Sequence, residues 1–222
     1  MDPGSRKKGS EQLKLAALKG NYDAIYSLGN LCLAAIQLEK NGIRPFAGPL
    51  DWNYSPVLSD VTRLLANRFA GFMDYPNLET VGNASDKLYL VLDKTYNILS
   101  NHDFFTHNNF PPHLAAYPEI KAKYDRRIAR FLEKAQTSSR ILFIRTEGTF
   151  EQVQELERVL SGLVARDYSL LVINHAPVSG IVELDWPLER VCALQFPDAD
   201  IWEGNHELWS ALFSGIALTD PA

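Results

Sequence analysis

The chain has 222 residues and a net charge of −5, with 46% apolar and 22% charged residues. These values are typical of a soluble globular protein that can bury a substantial core. No stretch approaches the roughly 18 apolar residues of a membrane span, nothing resembles a secretory signal, and the acidic balance argues against nucleic acid as the main partner.

The first ten residues read as vector sequence rather than as part of the fold. We interpret residues 1–10 as an expression tag and linker, and residues 11–222 as a single domain excised from a larger protein. Other domains of that full-length protein are then expected partners. The two cysteines, Cys32 and Cys192, do not form a disulfide framework, so we expect a reduced, cytoplasmic chain. No metal-ligand spacing is present, and we expect no metal and no bound cofactor.

The predicted elements follow from hydrophobic periodicity and from turn residues. In chain order they are a helix over 11–20, a strand over 22–28, a helix over 32–40, a loop over 43–56, a helix over 59–69, a hairpin over 87–99, a loop over 100–113, a helix over 118–135, a strand over 140–145, a helix opening at the Thr149–Gln152 capping box, strands over 170–173 and 191–196, and a helix over 203–218. The fold class is therefore α/β (α+β), with a parallel strand–helix–strand unit in the last third.

Cys32 stands at the start of the second predicted helix. Asn30 is a good N-cap, and the partial positive charge at a helix N-terminus favours a thiolate, which is the nucleophilic form of cysteine. The same position also suits an inert buried cysteine. The stripe that defines the helix is Leu31, Ala34, Ala35 and Leu38.

Four blocks occur in order along the chain: Ser27-Leu28-Gly29-Asn30-Leu31-Cys32, Leu50-Asp51-Trp52, Asn101-His102-Asp103-Phe104 and Tyr124-Asp125-Arg126-Arg127. Together they resemble the papain-like cysteine peptidase family of bacteria, formerly a domain of unknown function. That family has Ser-Leu-Gly-x-x-Cys, Phe-Asp-Trp, His-Asp-Phe and Tyr-Asp-Arg-Arg blocks. The resemblance covers about residues 22–175, and Leu50 stands where the family has phenylalanine.

The resemblance implies a papain-like core in which Cys32 is the nucleophile and His102 the general base. His107 is a rival base from the same loop. Asp51 is the preferred orienting carboxylate, because neighbouring residues such as His102 and Asp103 point to opposite faces of an extended chain. Backbone amides of the Cys32 helix, with Asn30, are expected to stabilise an oxyanion.

These residues fit more than one function. The leading expectation is a peptidase or amidase that acts through a thioester on Cys32. The Gly-Asn-x-Cys turn is also similar to the nucleophile block of papain-like capsule-polysaccharide acetyltransferases, for which acetyl-coenzyme A would be the co-substrate and a polysaccharide hydroxyl the acceptor. Anion-binding candidates are Arg126, Arg127, Arg130 and Arg145, although those of the 124–130 segment also suit structural ion pairs. A non-catalytic binding module is the third alternative.

Overall fold

The computed structural model describes residues 12–219. Within them lie eleven strands and five α-helices. In chain order these are β1 (Gly20–Tyr22), β2 (Ala24–Ser27), α1 (Leu33–Lys40), β3 (Asn53–Tyr54), α2 (Leu58–Ala66), β4 (Leu78–Ser85), β5 (Leu88–Asp93), β6 (Ile98–Ser100), α3 (Tyr117–Thr137), β7 (Arg140–Thr146), α4 (Phe150–Leu163), β8 (Asp167–Ala176), β9 (Val182–Glu183), β10 (Val191–Pro197), α5 (His206–Phe213) and β11 (Ile216–Leu218).

The central sheet has the strand order β2-β7-β8-β10-β9, in which only β9 runs antiparallel to its neighbour. Helices α1 and α5 contribute to the apolar cluster on one face, and α2, α3 and α4 contribute to the cluster on the other. Because both faces are covered, β8 is a nearly continuous apolar run from Leu170 to Ile173. The Cys32 helix therefore packs against the same sheet as the predicted strand–helix–strand unit.

A second sheet, β3-β6-β5-β4, is antiparallel and stands beside the first. Its short strand β3 pairs with β6 through Asn53 opposite Ser100 and Tyr54 opposite Leu99. The loop that carries His102 follows β6 directly. A two-stranded parallel pair, β1 with β11, joins the two ends of the described chain.

Many local predictions are confirmed. Helix α1 ends at Lys40, where the Asn41 N–H still bonds to Gln37 and Gly42 adopts φ +70°. The 87–99 segment is the predicted hairpin, and the Thr149–Gln152 capping box is present with both of its hydrogen bonds. Strands β7 and β8 are parallel neighbours joined by α4, as expected for a crossover unit.

Other local predictions are wrong at the ends of the chain. The helix predicted over 203–218 stops at Phe213, because Gly215 turns at φ +82° and the chain continues as β11 against β1. The helix predicted over 11–20 is only a single 3-10 turn, Leu15–Leu18. The predicted tag, residues 1–10, lies outside the described residues, and the single-domain assignment over 11–222 stays a prediction.

The structure is a mixed α/β fold with several sheets, consistent with a papain-like α+β architecture, and Cys32 stands at the start of a buried helix. None of the helices within residues 12–219 is both long and apolar enough to cross a membrane.

Candidate active site

Cys32 is itself the N-cap of α1, which corrects the prediction that Asn30 holds this place. The Cys32 backbone has φ −73° and ψ −2°, and its carbonyl accepts the first intrahelical bond from the Ile36 N–H at 2.9 Å. Asn30 instead gives its backbone carbonyl to the Ser55 N–H at 2.8 Å. The first amides of α1 therefore have no side-chain cap.

Gly29 makes the sharp turn between β2 and α1 possible. Its φ of +81° lies in the left-handed region, and a Cβ at this position would stand 2.4 Å from Ser55 Oγ. The Gly29 N–H bonds to Ser27 Oγ at 3.2 Å, and its carbonyl accepts from both the N–H and the hydroxyl of Thr146. These constraints explain why this block needs glycine three residues before the cysteine.

Arg145 clamps this turn from inside the protein, which corrects its assignment as an anion-binding residue. Its side chain is fully buried, and its guanidinium donates to the carbonyls of Leu28 at 2.9 Å, Ser55 at 2.7 Å and Glu147 at 3.2 Å, and to Ser55 Oγ at 3.1 Å. Burial lowers the pKa of Arg145 to about 9, against a smaller opposite effect of Glu147. Arg145 thus fixes the Cys32 turn and cannot meet an external anion.

The Cys32 thiol is partly exposed. Burial raises its pKa above the ordinary value, although a hydrogen bond to its own backbone opposes this. Burial therefore opposes the effect expected of the helix N-terminus, which favours the thiolate. A base must remove the proton if Cys32 is to react at neutral pH.

His102 is exposed and packs against Trp52. The two rings lie edge to face, with centroids 5.6 Å apart, and the guanidinium of Arg44 covers Trp52 at 5.0 Å. Within the described part of the chain, histidine ring nitrogens form hydrogen bonds only in His175 and His206. The imidazole of His102 is thus unengaged, and its hydrogen bond with Cys32 is not formed in this structure.

A line of contacts connects helix α1 with the His102 loop. Cys32, Ile36 and Glu39 follow at i, i+4 and i+7, so they share one face of α1. Glu39 pairs with Arg44 at 3.2 Å, and Arg44 in turn covers Trp52, the residue against which His102 packs. These contacts join the carboxyl end of α1, two turns after Cys32, to the His102 loop.

Asp51 is engaged elsewhere, so the structure corrects the prediction that it orients His102. Its buried carboxylate accepts from Arg44 Nε and from the Gly48 N–H, both at 2.8 Å. Burial raises the pKa of Asp51, and the Arg44 guanidinium opposes that shift. The role of Asp51 is to close the 44–51 loop and to hold Arg44 over Trp52.

Asp103 sits at the centre of a buried polar network that the sequence did not reveal. It accepts from Ser100 Oγ at 2.6 Å, from Tyr124 Oη at 2.7 Å and, very closely, from Lys123 Nζ. The side-chain amide of Asn53 donates to Tyr124 Oη at 2.9 Å. Burial opposes ionisation of Asp103, but the Lys123 charge and these donors hold its pKa below the ordinary value.

The arginines of α3 lie apart from any common pocket. Arg130 covers the Phe46 ring at 4.7 Å, Arg126 is exposed, and Arg127 lies near Asp51, where its charge lowers the pKa of that carboxyl. Their assignment as substrate-binding residues stays a prediction.

A histidine–carboxylate pair, His175 with Glu147, was missed because the two residues are 28 positions apart in the sequence. His175 Nδ1 lies 2.5 Å from Glu147 Oε1 at the carboxyl ends of β8 and β7, and its buried Nε2 has no hydrogen-bond partner.

His107 is exposed and contacts Phe105, whereas Cys192 is buried in the core with a pKa raised to about 12 by burial. No group of three His, Cys, Asp or Glu side chains within residues 12–219 has the arrangement of a metal site.

Comparison with known proteins identifies the family to which the chain belongs. An uncharacterized protein, R408, of Acanthamoeba polyphaga mimivirus is 27% identical over 170 residues, which cover 68% of this chain and 75% of the relative. That relative is viral, so the expected bacterial origin stays a prediction. No solved structure matches the chain significantly. Residues 23–177, more than two thirds of the chain, match one family profile, and the chain therefore belongs to the family described as "Putative papain-like cysteine peptidase (DUF1796)".

Proposed function

We propose that the protein is a hydrolase of the peptidase or amidase type, in which Cys32 is the nucleophile and His102 is the general base. The observation that carries this proposal is the turn before Cys32. A left-handed glycine, a fully buried arginine and a backbone bond to Ser55 all fix the start of α1. A turn held from several sides in this way suits a catalytic residue that must be kept in one geometry.

The chemistry follows from the groups at hand. His102 accepts the thiol proton as the sulfur attacks a carbonyl carbon, and the imidazolium then donates that proton to the departing amine. A thioester remains on Cys32. Water then attacks it while His102 accepts a water proton, the C–S bond breaks, and the proton returns to sulfur as the acid leaves.

The start of α1 supplies the electrostatic part. Amides in the first turn have no intrahelical acceptor, and they lie at the positive end of the helix dipole beside the thiol. They are our candidates for binding the developing oxyanion, with Asn30 as an additional donor. Asp51 has no direct part in this mechanism, because Arg44 and Gly48 occupy its carboxylate.

The raised pKa of Cys32 makes the base essential at neutral pH. An ordinary cysteine is about 3% thiolate at pH 7, and burial leaves Cys32 with a smaller share. General-base catalysis contributes typically 10²–10⁴-fold. The rate enhancement that His102 provides should therefore be large at pH 7 and should disappear at a pH where the thiol ionises without a base.

The experiment is acylation by 4-nitrophenyl acetate, followed as the burst of nitrophenolate against pH, with a Cys32→Ala variant as background. We expect His102→Ala to lose at least tenfold in burst rate at pH 7 and little on the alkaline plateau of the pH profile, where the thiol is ionised. His107→Ala is the matched control from the same loop and should behave as the unmodified protein. Equal rates for His102→Ala and the unmodified protein at pH 7 would refute the dyad, and loss only in His107→Ala would reverse the base assignment.

The alternatives have less support. An acetyltransferase using acetyl-coenzyme A needs cations along a phosphate path, but Arg145 is buried and Arg130 already covers Phe46. A non-catalytic module has no need of an exposed imidazole held against Trp52, or of a cysteine turn fixed by a buried arginine. An acetyltransferase would be revealed by release of the coenzyme A thiol from acetyl-coenzyme A, with the acetyl group transferred to a hydroxyl of an added polysaccharide.

A further inference from the structure

We propose that Asp103, Tyr124 and Asn53 are positioning residues that hold the His102 loop in place for catalysis. This inference rests on the proposed role of His102 and adds three residues that do not touch the reacting atoms.

The argument begins with two facing dipeptides. Trp52 and His102 contact each other and are open to solvent, whereas their neighbours Asn53 and Asp103 are 2% and 7% exposed. Each dipeptide thus leaves one side chain at the surface and places the next one in the buried network beneath it.

Tyr124 joins the two buried members. Its hydroxyl donates to Asp103 Oδ2 at 2.7 Å and receives the Asn53 amide at 2.9 Å, so one oxygen ties the His102 loop to β3. The ring is fully buried in α3 and lies edge to face with Phe72, their centroids 5.6 Å apart. A 21-residue helix therefore anchors a loop that otherwise lacks regular structure.

The polar groups of this network have hydrogen-bond partners that keep it rigid. Asp103 receives donors from Ser100, Lys123 and Tyr124, and Ser100 also pairs with Asn53 across β3 and β6. Buried polar networks with all partners present specify one geometry, and loss of one partner leaves the others unsatisfied. The exposed ring of His102 makes no hydrogen bond of its own, so the backbone on either side must fix the position of the ring.

The test compares two single hydroxyl deletions. Tyr124→Phe removes the oxygen that links Asp103 and Asn53. Tyr168→Phe removes the hydroxyl of another buried tyrosine, which bonds to the Glu157 carbonyl at 2.8 Å and to Ser161 Oγ at 2.7 Å between β8 and α4, and is the matched control. The readout is the 4-nitrophenyl acetate burst at pH 7, where the base is needed, and on the alkaline plateau of the pH profile, where the thiolate reacts alone.

We expect Tyr124→Phe to lose about tenfold to a hundredfold at pH 7, the range that follows from a misplaced catalytic group, and to match the unmodified protein on the alkaline plateau. Tyr168→Phe should match it at both values. A merely structural role for Tyr124 would lower both rates or neither. Asp103→Asn, which keeps the size of the side chain but loses the charge that Lys123 binds, provides a second variant if Tyr124→Phe does not fold.

The outcomes separate the two proposals. If His102→Ala is slow at pH 7 while Tyr124→Phe and Asp103→Asn are not, the positioning inference is overturned and the dyad stands. If His102→Ala retains the full rate, the dyad fails and the inference fails with it.

Discussion

Replacing Gly29 by alanine should destabilise the protein through two separable effects. The first is backbone strain, since a left-handed φ of +81° costs an L-residue about 1–2 kcal/mol. The second is steric, since the new Cβ would stand 2.4 Å from Ser55 Oγ, and overpacking of a tight site costs about 1–3 kcal/mol. We therefore expect a total loss of about 2–5 kcal/mol in the free energy of unfolding.

A double-mutant cycle with Ser55→Ala isolates the steric part. Ser55→Ala alone loses the hydrogen bond from Arg145 Nη1, which costs about 1 kcal/mol because Arg145 keeps its other acceptors. In that background the oxygen is gone, so Gly29→Ala should cost only the strain of about 1–2 kcal/mol. The predicted coupling between the two positions is thus about 1–3 kcal/mol.

The measurement is urea unfolding of the four proteins, monitored by far-UV circular dichroism, with a common m-value as the check on two-state behaviour. An equal cost of Gly29→Ala in both backgrounds would show that Ser55 Oγ does not crowd this position. In that case the packing argument for the Cys32 turn is wrong.

Three further predictions concern other parts of the same framework. Arg145→Met leaves the buried oxygens of Leu28 and Ser55 without a donor and should cost about 2–5 kcal/mol in urea unfolding; a neutral result would remove Arg145 as the clamp. Thr149→Ala removes the capping box of α4 and should cost about 1 kcal/mol without altering the nitrophenolate burst, and an altered burst would contradict this. The pKa of Asp103 is lowered in the folded protein, so the stabilisation from its carboxylate is present above the unfolded pKa of about 3.9 and is lost as pH falls through the folded pKa. The difference in unfolding free energy between Asp103→Asn and the unmodified protein should therefore shrink from pH 6 to pH 3. A constant difference would refute this.

Local chemistry made much of the fold predictable. The Gly29 turn, the Asn41–Gly42 stop and the Thr149–Gln152 capping box are short-range signals, and all three act as expected. Strand β4 was missed because most of its residues are exposed and polar, so no alternation marks it. The end of α5 was misjudged because Ala217 and Leu218 fit a helical stripe, whereas their partner strand β1 lies almost two hundred residues earlier.

The site was less predictable because its partners come from distant segments. Cys32 and His102 could be proposed from short blocks, but an arginine inside a strand reads as a surface or ligand-binding group. Only the fold brings backbone carbonyls from two other segments to Arg145. Asp51 was misassigned for the opposite reason, since Arg44 lies only seven residues away and closes the loop locally.

The Arg145 clamp also has a consequence for synthesis of the chain. Arg145 lies 117 residues after Leu28, whose carbonyl it binds, and Thr146, which binds Gly29, is made immediately afterwards. At about 5–20 residues per second, the nascent chain carries Cys32 for roughly 6–23 s before its turn can close. Cys32 on a ribosome-bound chain that stops before β7 should therefore react with alkylating agents as an unstructured thiol does, and its reactivity should change only once β7 has emerged.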